Sequence, residues 1–201
     1  MSFLDRLGQF AKAALKTVTT VTPTKQAPRR PDSGPGARPT APAGRPPAGA
    51  PGDSPGRTGA AATVEVDPRR IGAVRMTYNP VTDGDPDPGE VIWTWVPFEE
   101  RDGRGKDRPV LVVASEATGG AGKGTVLAVQ LTSKDHGGER DFVPVGTGRW
   151  DSQGRPSWVN LDRVFRVHPG GMRREACALP ADRFVKVAAA LQREYGWTAG
   201  K

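Results

Sequence analysis

Hydrophobic spacing changes three times along the chain, and each change marks a different element. Residues 3–18 place Phe3, Leu4, Leu7, Phe10, Ala11, Ala14, Leu15 and Val18 at helical spacing, with Asp5, Arg6, Lys12 and Lys16 off the stripe and Ser2 available as a cap. This predicts an amphipathic helix over residues 1–20. Such a stripe cannot bury itself, so it docks on the main domain, on a partner or on a membrane surface, the last only weakly because its charges are few. From about residue 21 large apolar residues nearly vanish among Pro, Gly, Ala and Arg, as in Pro28-Arg29-Arg30-Pro31. That composition cannot offset its own ordering entropy, and it predicts a disordered, extended linker and lead-in over residues 21–86.

Beyond residue 86 the apolar positions gather into short runs. Val91–Val96, Pro109–Ala114, Gly124–Thr132, Phe142–Val145 and a bent Trp158–Val167 read as strands. Pro109 biases Arg108 toward an extended backbone. Helical spacing returns at Ala181 to about Tyr195, where Phe184, Val187, Ala188, Leu191 and Tyr195 form one stripe with Lys186 and Arg193 outside it. The expected fold is mainly β: a small barrel-like sheet over residues 87–201, braced by a C-terminal helix.

The glycine-rich loop Ser115–Lys123 fits a hairpin centred near Gly120. Symmetric pairing about that centre sets Ala114 opposite Val126, Val112 opposite Ala128, Val110 opposite Gln130 and Arg108 opposite Thr132. One face then carries Leu111, Val113, Leu127, Val129 and Leu131 as a core set. The other carries Arg108, Gln130 and Thr132 at its open end.

Composition trims this picture. With 26 Gly and 20 Pro in 201 residues, some of the chain must be linker. Lys and Arg outnumber Asp and Glu 9 to 3 in residues 1–63 but only 20 to 19 in residues 64–201, so the net charge of +7 divides as +6 and +1. The basic balance belongs to the extension, and nucleic-acid binding by the domain must come from local groups such as Arg104, Lys106 and Arg108. Cys177 is the single cysteine, which excludes an internal disulfide and a cysteine-built zinc site. No run approaches the roughly 20 apolar residues of a membrane span, and a soluble, cytoplasmic protein is expected. Gly119-Gly120-Ala121-Gly122-Lys123-Gly124 fails the phosphate-loop pattern because Ala117 and Gly124 stand where Gly and Ser/Thr are needed. Asp83–Asp87 fails the calcium-loop offsets.

Pro88-Gly89-Glu90-Val91-Ile92-Trp93, then Arg108-Pro109-Val110-Leu111-Val112-Val113, then Leu131-Thr132-Ser133 resemble the MazF/PemK family of toxin endoribonucleases over about residues 87–197. The resemblance implies an SH3-like barrel that dimerises, needs no metal or other cofactor, and cuts single-stranded RNA. It also implies a 2′,3′-cyclic phosphate and 5′-hydroxyl as products, and an antitoxin that blocks the cleft. Carried over by residue, Arg108 is the electrostatic stabiliser and a participant in proton transfer, and Thr132 the phosphate orienter. An ordinary guanidinium is a poor base, so His136 is the candidate proton acceptor. Arg104, Lys106, Ser133 and Lys134 are candidate RNA contacts, with Glu99 and Glu100 candidate base-selecting carboxylates. Trp93, Trp95, Trp150 and Trp158 read mainly as core or dimer contacts, and His168 and Cys177 as structural. Two other functions fit the residues: a non-catalytic SH3-like interaction module tethered to the N-terminal docking helix, and inhibition of DNA gyrase by a related toxin fold.

Overall fold

The computed structural model describes residues 54–116 and 124–200, all within the compact unit Pro46–Lys201. The N-terminal helix expected over residues 1–20, most of the expected linker and the tip of the hairpin loop lie outside the described residues.

Among the described residues, nine strands and one α-helix make a mainly β fold. They are β1 (Val64–Val66), β2 (Arg75–Met76), β3 (Glu90–Pro97), β4 (Gly105–Ser115), β5 (Val126–Thr132), β6 (Phe142–Gly146), β7 (Ser157–Val167), β8 (Met172–Ala178), α1 (Ala181–Tyr195) and β9 (Thr198–Ala199). The main sheet runs β1-β7-β5-β4-β3-β8, with β6 also on β7, and its ladders are antiparallel. β2 and β9 form a small parallel pair.

Both faces of the sheet are apolar. Leu111, Val113, Leu127, Val129 and Leu131 pack on α1 through Phe184, Val187 and Leu191, together with Trp150 and Trp197. The opposite parity of the same strands, Ile92, Val96, Val110, Val112, Ala128, Phe165 and Val167, forms a second cluster. The sheet curls around that second face: Arg163 on β7 reaches the Pro97 carbonyl at the end of β3, although β5 and β4 lie between them in the sheet. Helix α1 ends at Gly196, whose φ of 72° suits glycine and whose N–H donates to the Gln192 carbonyl.

Three expectations change. The ordered part begins before the boundary expected near Asp87, because β1 pairs with β7 and Thr63 is buried. In the hairpin, Val110–Gln130, Leu111–Val129 and Val112–Ala128 pair as expected, but a bulge shifts Ala114 to Leu127 instead of Val126. Finally, β8 was unforeseen, since Met172-Arg173-Arg174-Glu175 shows no apolar alternation.

Candidate active site

The candidate residues lie on β3, β4 and β5, neighbouring strands of the main sheet. Arg108 shares strand parity with Val110 and Val112 and therefore points to the inner side, at the edge of the second apolar cluster. Thr94 of β3 is its cross-strand partner. On the other side, the β4–β5 ladder ends at Val110–Gln130, two residues short of Arg108 on β4 and of Thr132 on β5. Arg108 and Thr132, the two residues singled out in the sequence, thus lie on adjacent strands beyond the last pair of that ladder.

Arg108 is half-buried, and its Nε is shielded without a hydrogen-bond partner among the described residues. Burial is the main cause pulling its guanidinium below the usual range; Arg163 adds to this and Glu99 opposes it. Gln130 is 7% exposed, and its Oε1 is also unpartnered. Gln130 pairs with Val110, so both unpartnered atoms belong to residues of the inward parity. Thr132 Oγ1 accepts from the Lys134 N–H at 3.2 Å. Thr94 is committed to the fold: it donates to the Gly171 carbonyl at 2.9 Å and lies 2.6 Å from Thr63 Oγ1.

The other candidates scatter. Lys106 is exposed on the same strand parity as Arg108, and Ser133 and Lys134 are exposed just past β5. Arg104 is instead occupied in its own turn, donating to Asp102 through Nε at 2.6 Å and lying over the Phe98 ring. His136 stacks on Phe142 with centroids 3.6 Å apart, and its Nδ1 is 3.0 Å from Glu139 Oε1. Glu100 is exposed in the turn after β3, while the neighbouring Glu99 lies 3.5 Å from Arg163 Nη1. Trp150 is a core residue bonded to Ser157, whereas Trp95 is half-buried under the guanidinium of Arg57. His168 accepts from Gly170 N–H to start a 3-10 turn. Sequence reasoning missed Arg163; its one signal was a charged residue at the same inward parity as Phe165 and Val167.

A family model described as PemK-like, MazF-like toxin of type II toxin-antitoxin system matches residues 87–194. The chain belongs to this family. Solved structures similar to it include MazF (Form-I) from Deinococcus radiodurans, 26% identical over 56% of this chain and 97% of that one, with a TM-score of 0.41. The MazE-MazF (Form-II) structure from the same organism is 24% identical over 55% and 96%, also at 0.41. Mycobacterium tuberculosis toxin MazF-mt6 is 19% identical over 54% and 97%, at 0.38. A search of curated proteins finds no match. The family match begins at residue 87, so β1, β2 and the turn from Ser54 to Thr63 are additions to the family domain.

Proposed function

We propose that this toxin-family chain is an endoribonuclease that cleaves single-stranded RNA at short motifs, leaving a 2′,3′-cyclic phosphate and a 5′-hydroxyl. The observation that carries the proposal is Arg108: a half-buried cation with no ion pair among the described residues and a shielded, unpartnered Nε. A group so placed calls for an anion.

The chemistry follows from where charge develops. Attack by a 2′-hydroxyl on the adjacent phosphorus builds negative charge on the non-bridging oxygens and then on the departing 5′-oxygen. Arg108 donates to the first and stabilises the second. Because Thr132 Oγ1 already accepts from Lys134 N–H, its hydroxyl proton is left to donate to a non-bridging oxygen. Lys106, Ser133 and Lys134 extend the polar track along the RNA backbone, and Glu100 accepts from a base amino group. His136 is the candidate proton acceptor: when Nδ1–H donates to Glu139, Nε2 carries the lone pair. The family reading adds an antitoxin as partner, as in the structure that holds MazE with MazF, and a homodimer as the active form.

The test uses purified full-length chain and a mixed single-stranded RNA, with 5′ ends sequenced after brief incubation. Wild type is expected to cut at a few short motifs, leaving 5′-hydroxyl ends. Arg108→Ala should slow cutting about 10²-fold or more, and Thr132→Val about tenfold. RNA left intact by wild type, or cut equally by Arg108→Ala, refutes the proposal.

A further inference from the structure

Arg163 is placed by a defect in its strand. Between the pairs Val129–Val164 and Gln130–Asn160 the β5–β7 ladder skips residues 161–163. A bulge of this kind re-aims a side chain, and here it lays the guanidinium 5.2 Å over the Phe165 ring and within 2.8 Å of the Pro97 carbonyl across the curl. Only 7% exposed, Arg163 needs a counter-charge. Most of it comes from Glu65, which accepts from Nε at 2.7 Å and from Nη2 at 3.2 Å.

Glu65 belongs to β1, in the segment that precedes the family domain. Two residues earlier the same segment is fastened to the cross-strand partner of Arg108, because Thr63 Oγ1 lies 2.6 Å from the hydroxyl of Thr94. It turns at Gly56, where φ is 81° and an added Cβ would meet the Gly171 carbonyl at 2.7 Å. The stretch from Gly56 to Glu65 therefore runs from the neighbourhood of Arg108 to Arg163. The two arginines are near enough that the charge of one lowers the proton affinity of the other.

We propose that Arg163 is a second phosphate-binding residue of the site and that residues 54–66 are its built-in brake, Glu65 occupying the guanidinium that an RNA phosphate would otherwise share with Arg108. This rests on the reading of Arg108 as a phosphate contact. A carboxylate presents two oxygens to a guanidinium fork much as the non-bridging oxygens of a phosphodiester do, so the two compete for the same donors. Release does not leave Glu65 stranded, since Arg101 Nε already lies 3.7 Å from its Oε2. The tether is short: β1 holds β7 by three residue pairs.

The test measures binding of a fluorescent ten-nucleotide single-stranded DNA, which lacks the attacking hydroxyl, to the full-length chain by anisotropy. Removing one negative charge beside a partly buried phosphate site should tighten binding by Glu65→Gln about tenfold. Adding Arg163→Gln to that variant should abolish the gain. An unchanged or weaker affinity of a natively folded Glu65→Gln chain overturns the brake. If that variant unfolds, wild type decides by hydrogen exchange: amides of residues 63–66 must exchange faster when the oligomer is bound, and unchanged or slower exchange overturns the proposal. Tighter binding by Glu65→Gln with RNA left intact by every variant keeps the brake and sinks the endoribonuclease reading. Cleavage by wild type with no change of affinity in Glu65→Gln does the reverse, and no binding by either chain sinks both.

Discussion

Glu90 should make this fold less stable as pH rises through neutrality. It opens β3 opposite Ala178, is fully buried, and has one carboxyl oxygen, Oε2, accepting from Asp87 N–H at 3.0 Å while Oε1 has no partner among the described residues. Burial is the largest influence and raises its pKa from 4.5 to about 7; the Asp87 N–H opposes, and the charges of Glu175, Asp87 and Asp83 add to the rise. The folded state therefore holds a proton that the unfolded chain gives up near 4.5. Stability is complete below that value, falls as pH climbs toward about 7, and is flat above. At about 1.4 kcal/mol per tenfold change in proton affinity, the ceiling on this loss is about 3 kcal/mol.

Glu90→Gln keeps an oxygen for Asp87 N–H and cannot ionise. Urea unfolding followed by circular dichroism at pH 5, 6, 7 and 8 isolates the effect as the difference between the two chains, since other titrating groups are common to both. The variant should gain on wild type by about 2–3 kcal/mol between pH 5 and 8, a midpoint separation of about 1 M urea or more. A separation that does not change with pH refutes the argument.

Gly56→Ala forces a left-handed backbone and a backbone clash on the segment leading to β1, and should cost about 1–3 kcal/mol. Limited proteolysis between residues 54 and 63 should accelerate, and an unchanged rate speaks against the close approach. Leu191→Ala empties a fully buried position between α1 and the sheet and should cost about 2–5 kcal/mol in urea unfolding; less than about 1 kcal/mol means the helix is not braced as described.

Strands β3 to β7 and helix α1 were legible because alternation and 3.6-residue spacing are local consequences of burying one face. Glycine-rich symmetry in the Ser115–Lys123 loop was enough to place Gln130 opposite Val110. It could not place Ala114, because nothing in Val112-Val113-Ala114 announces a bulge. β8 escaped for a related reason: its pairing with β3 runs through backbone groups, while Arg173, Arg174 and Glu175 break any apolar alternation.

Arg108 and Thr132 could be singled out from the chain alone, because a hairpin register is short-range and couples residues through one loop. Arg163 could not: its position depends on a bulge in β7, a carbonyl on β3 and a carboxylate 98 residues away on β1. Local spacing determined which strands exist and which side chains share a face. Closure of the curl decided which charges meet inside it, since contacts between distant strands depend on how the whole sheet bends and on what the segment before it brings across.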